Sequence, residues 1–249
     1  LAEILEHLPW DDLEKEQAEQ LGLAVARLAE RDILALLEAL AYYGTDQFLE
    51  AIWYNIRPAI RTEQGILQAY RILQETHLED DAGAYQCLQE RTAEKGIVSE
   101  EIDEKMLVHG AALANEPPAY RAVLARHLGR LVAERKLDLV EPLLLQSRHC
   151  LSAAAFAQCR LDLASRLTEA GDEAADELAS RLLAEAADQA RRCGDLEEAA
   201  SLVEQALHLD PSGPRGQEVA SGVRDALEAS EEIRGLREDL IGSRMEDLR

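Results

Sequence analysis

Lysine, aromatic residues and β-branched residues are scarce in this chain of 249 residues. Only four lysines occur (Lys15, Lys95, Lys105 and Lys136), and 49 acidic residues against 26 basic ones leave a formal charge of −23. Phosphate backbones are held by a surplus of Lys and Arg on one face, so nucleic acid is excluded as a partner class. No run of about 18 apolar residues occurs, and no membrane insertion is expected. The four cysteines, Cys87, Cys150, Cys159 and Cys193, never form C-x-x-C, so neither a zinc ribbon nor a redox pair is encoded. Free thiols in a reducing cytoplasm are the expectation. No basic leader opens the chain, and its first residue is Leu1 rather than methionine, as in a trimmed chain or a domain cut from a larger protein. Arginine in place of lysine has two open explanations, a saline cytoplasm and a GC-rich genome.

The motifs of catalysis are also missing. Neither G-x-x-x-x-G-K nor G-x-G-x-x-G occurs, which argues against nucleotide chemistry. A carboxylate-bridged metal bundle needs Glu-x-x-His on two helices, and none is found; Glu3/His7 and Glu204/His208 are isolated i, i+4 pairs. His149 beside Cys150, with Cys159 nearby, is the only arrangement resembling a Cys–His nucleophile, and it has no orienting partner in view. His127 falls on an apolar helix face, where a core histidine donating to a backbone carbonyl is the expectation. No cofactor and no metal is expected.

What is abundant is Leu, Ala, Glu, Gln and Arg, residues that lose little side-chain freedom on entering a helix. Tyr120, Val123, Leu124, His127, Leu128, Leu131 and Val132 follow the i, i+3, i+4, i+7 rule and give one apolar face over three turns. The same periodicity predicts helices over 11–30, 32–43, 46–56, 63–76, 81–94, 99–113, 117–135, 138–149, 153–170, 173–192, 196–209 and 215–240. Gly171-Asp172 and Gly194-Asp195 supply stops and caps, and Asn115-Glu116-Pro117-Pro118 reads as a helix entrance. Short connections predict antiparallel neighbours.

Gly194-Asp195-Leu196-Glu197-Glu198-Ala199 leads through Leu202, Val203, Ala206 and Leu207 to Asp210-Pro211. This run resembles the second half of a tetratricopeptide repeat, with a Gly-Asp turn, two small residues seven apart and a terminal Asp-Pro. Aligning Pro211 with the family's terminal proline begins the unit near Ser180, with Leu183, Ala186, Ala187 and Ala190 in its first helix. The departures are Leu183 for the usual tryptophan, and Ala187 and Ala190 for the usual glycine and tyrosine. The resemblance implies a groove lined by Arg181, Ala184, Asp188, Arg191 and Arg192.

The expected fold is therefore all-α: a right-handed α-solenoid of antiparallel helix pairs. Irregular hairpins would occupy 1–136, tetratricopeptide-like repeats 137–213, and a capping helix with a polar tail 214–249. In that last helix Val219, Ala226, Ile233 and Leu240 recur every seven residues, with Val223 and Leu236 beside them. They fit either a cap on the final repeat or a coiled-coil contact that makes a homo-oligomer.

The expected function is a non-catalytic scaffold or adaptor for a protein or peptide partner with acidic groups. Arg181, Asp188, Arg191 and Arg192 are the first candidate site, against the alternative of ordinary surface ion pairs. The second is the aromatic cluster Tyr42, Tyr43, Phe48, Trp53 and Tyr54, readable as a local core or as a partner groove. Two other classes stay open: a cofactor- or metal-binding helical-bundle enzyme built from the N-terminal half, and a regulatory helical-repeat domain of a larger protein.

Overall fold

A computed structural model of the chain describes residues 15–43, 52–53, 55–75, 81–96 and 98–246. Among the described residues every regular element is helical: α1 (Lys15–Val25), α2 (Glu30–Tyr43), α3 (Glu63–Glu75), α4 (Asp81–Lys95), α5 (Glu100–Ala112), α6 (Tyr120–Ala133), α7 (Leu137–Gln146), α8 (Ala153–Ala170), α9 (Glu173–Cys193), α10 (Leu196–Leu209) and α11 (Pro214–Glu246). Short 3-10 turns cover Arg57–Ala59 and Ser147–His149. No described helix is long and apolar enough to cross a membrane.

The helix ends follow local chemistry. Asp172, Ser152 and Asp195 accept from the backbone N–H of Ala175, Ala155 and Glu198, each capping the helix that follows it. Gly171 and Gly194 close α8 and α9 with φ of 65° and 85°, a left-handed conformation that L side chains resist.

Four expected boundaries shift, among them the end of the helix expected over 215–240, which runs on to Glu246. The helix expected over 117–135 begins only at Tyr120, because Ala119 sits at φ 62° and breaks the run from the two prolines. The helix expected over 138–149 ends at Gln146 and tightens into the 3-10 turn, where Ser147 Oγ donates to the Leu143 carbonyl. The helix expected over 11–30 stops at Val25, where the Leu28 N–H bonds the Val25 carbonyl at 2.8 Å in a tight turn. Most of the helix expected over 46–56 lies outside the described residues.

The chain divides into two compact units, 1–124 and 125–249, with the division inside α6. In the first, α2 packs on α3, α3 on α4 and α4 on α5. Ile33, Leu37, Ile52, Ile56, Leu88 and Ile102 are fully buried there. Gly110 of α5 lies directly against the rings of Tyr120 and Tyr85, and the Tyr85 hydroxyl donates to the Pro118 carbonyl at 2.6 Å.

In the second unit α8 packs on α9, α9 on α10, and both α9 and α10 on α11. Two helices that pack along each other across the two-residue Gly194-Asp195 connection run antiparallel. Alanines make that contact close: Ala179, Ala187, Ala199 and Ala206 are completely buried, and the Ser180 hydroxyl donates to the Ala206 carbonyl at 2.8 Å. Val219 and Val223 of α11 cover the α9–α10 pair.

Candidate functional site: three arginines around Asp188

Asp188 stands on the buried side of α9 and is only 7% exposed. A carboxylate there needs compensation, because burial disfavours its charged form. Compensation comes from three guanidinium groups. Arg191 donates through Nη2 at 2.7 Å and Nε at 3.3 Å to one oxygen. Arg192 Nη2 lies 2.7 Å and Arg215 Nη2 3.2 Å from the other. Burial pushes the Asp188 carboxyl up, but the Arg191 hydrogen bond and the charges of Arg192, Arg191 and Arg215 outweigh it. The group is held below the usual carboxylate range.

Arg215 is anchored in turn. It donates to Glu218 at 2.9 Å, and that bond raises the guanidinium further above its ordinary value. Three arginines against Asp188 and Glu218 leave the group one positive charge in surplus, within a chain of net charge −23. The Arg192 side chain is 71% exposed, so most of its donors face solvent while one contact orients the plane.

Of the residues expected to share a groove, Asp188, Arg191 and Arg192 are brought together. Arg181 points elsewhere and pairs with Glu141 of α7 at 3.0 Å, and Ala184 is completely buried. Arg215 joins the cluster with no motif to announce it. It enters through the Asp210-Pro211 turn, where Asp210 accepts from the Ser212 N–H and hydroxyl and α11 is started beside the end of α9.

No family model matches the chain, and no curated protein matches it. Among solved structures, a chain titled "DHF58 filament" is 16% identical, over 88% of this chain and 98% of its own, at a TM-score of 0.22. That likeness is too low to carry a fold or a role.

A second arginine is buried more deeply. Arg160 of α8 is 7% exposed, lies 4.8 Å over the Phe156 ring and pairs with Glu185 of α9 at 3.2 Å. Burial lowers its pKa from the ordinary arginine value, against the opposing pull of Glu185. This pair joins α8 to α9.

Of the remaining sequence candidates, Trp53, Cys150 and His127 are buried. Trp53 is 1% exposed, so its ring is not offered to a partner. Tyr42 and Tyr43 close α2; their side chains, with Phe48 and Tyr54, lie outside the described residues. The buried Cys150 thiol donates to the Ser147 carbonyl. His127 is buried as its face predicts, but its Nδ1 has no hydrogen-bond partner, so the expected donation to a carbonyl is not made by that atom. Glu3 and His7 lie outside the described residues. Among the described residues no group of three or more His, Cys, Asp or Glu is arranged to hold a metal ion.

Proposed function

We propose that this protein is a non-catalytic interaction scaffold, a right-handed α-solenoid with tetratricopeptide-like character around 180–213, that binds a protein or peptide bearing acidic groups. The observation carrying the reading is the Asp188 cluster: three arginines fixed in orientation by a buried carboxylate, with the Arg192 guanidinium turned largely to solvent. Prealigned guanidinium forks match carboxylates bidentately and lose less entropy on binding than free side chains do. Packing of consecutive helices within α2–α5 and within α8–α11 supports the solenoid, and the Gly194 turn with the Asp195 cap supports the repeat. Four cysteines outside any disulfide are compatible with the cytoplasmic location this reading assumes.

The test uses the full chain and a fluorescent Asp/Glu-rich peptide with a free C-terminal carboxylate. The double charge reversal R191E/R192E should weaken binding by about tenfold or more, because two attractive contacts become repulsive. A variant that binds the peptide as tightly as the unaltered chain removes the assignment. Capture of partners from native extract by the two chains then asks the same question of natural ligands.

A further inference from the structure

Helix α11 runs for 33 residues, about 50 Å at 1.5 Å per residue. Among the described residues its first part is the part buried in the second unit: Val219 and Val223 are 4% and 3% exposed against α9 and α10. Beyond Val223 none of the described side chains is buried, and Ile233 is 67% exposed. Over 224–235, the described part beyond Val223, no side chain is buried to hold the helix in place, and helices are marginal in water without tertiary packing. Its exposed isoleucine belongs to a seven-residue series, Ala226, Ile233 and Leu240, that continues the covered Val219.

The charges flanking that series say what would cover it. With Ile233 at heptad position a, Leu236 falls at d, and the g positions are Asp225, Glu232 and Asp239. The e positions that follow are Ser230, Arg237 and Arg244. In a parallel pair of strands each g residue meets the e residue five places on in the other strand, so Glu232 meets Arg237 and Asp239 meets Arg244. In an antiparallel pair the acidic g column would face itself.

We infer that the second half of α11 pairs with the same segment of a second copy of this chain, as a parallel two-stranded coiled coil with Ile233 in its seam. Val219 and Val223 cap the α9–α10 pair, and the residues beyond them join two protomers. The weak seam, with Ala at 226 and 229 and Ser at 243, makes the association reversible and concentration-dependent.

Sedimentation equilibrium of the full chain, from micromolar to submillimolar concentration, is the test. The mass should rise from 27.6 kDa toward twice that value as concentration increases. I233D should weaken the dimer by about a hundredfold while the far-ultraviolet spectrum of the two units persists, since this side chain is 67% exposed in its own protomer. E232K/D239K sets lysine against Arg237 and Arg244 in the parallel register and should weaken it by about tenfold. A monomer at every concentration, a dimer insensitive to I233D, or one that E232K/D239K leaves unchanged overturns the proposal.

Discussion

Replacing Asp188 by asparagine keeps the shape of the side chain and removes the charge on which three arginines converge. The three ion pairs broken by this change differ in strength. The Arg192 side chain is 71% exposed and Arg215 36%, so water screens both, and each contributes about 0–1 kcal/mol. Arg191 is 33% exposed and donates twice to one oxygen, which places it toward the upper end of that range. Opposing these gains is the burial of the carboxylate, a penalty the variant escapes, and asparagine retains one acceptor for Arg191. The balance is a loss of about 1–2 kcal/mol at neutral pH. Because the folded-state pKa lies below the ordinary carboxylate value of about 3.9, the stabilisation is complete above that value. It disappears as pH falls through the folded-state pKa, so wild type and D188N converge in acid. Urea unfolding at pH 7, with amide exchange in α9 as the local readout, measures the first quantity. Carboxyl NMR titration of Asp188 measures the second. A D188N protein as stable as wild type at pH 7, or an Asp188 midpoint at or above the ordinary value, would refute this ordering of effects.

Two further outcomes test the first unit. A Cβ added at Gly110 would come under 3.0 Å from ring atoms of the buried Tyr120, with Tyr85 alongside, so G110A should lose about 2 kcal/mol. The greater helix propensity of alanine, worth about 1 kcal/mol, only partly offsets the overpacking; an equally stable G110A in a thermal melt would mean that this crossing is loose. Glu30 accepts from the backbone N–H of Arg61 and Thr62 and from the Thr62 hydroxyl, while Thr62 Oγ1 accepts from Gly65 N–H at the start of α3. E30A should therefore cost about 1–2 kcal/mol and speed amide exchange in the first turn of α3, and unchanged exchange at Gly65 and Ile66 would show that Thr62 caps alone.

The helical class of the chain, and where most helices begin and end, can be read from the order of residues without any knowledge of their packing. Those properties are local: a 3.6-residue apolar period, Asp and Ser caps, and glycine in the left-handed conformation act within a few residues. The helices at 153–170 and 196–209 accordingly match their expected spans, as the Ser152, Gly171 and Asp195 signals require. Boundaries shift where a local cue is absent or misleading, as at Ala119, whose positive φ no residue type announces.

The Asp188 site is half legible in the same way. Spacings of three and four place Arg191 and Arg192 within reach of Asp188, because a helix brings such neighbours onto one face. Packing between helices, and nothing local, buries Asp188, turns Arg181 to Glu141 on α7, and brings in Arg215 from a helix 27 residues further along the chain. The path of the chain through the Asp210-Pro211 turn sets the distance between α9 and α11, and with it the membership of the cluster. Local propensity cannot encode such a distance; it emerges from how closely the alanine faces of α9 and α10 pack and from where that packing leaves the start of α11.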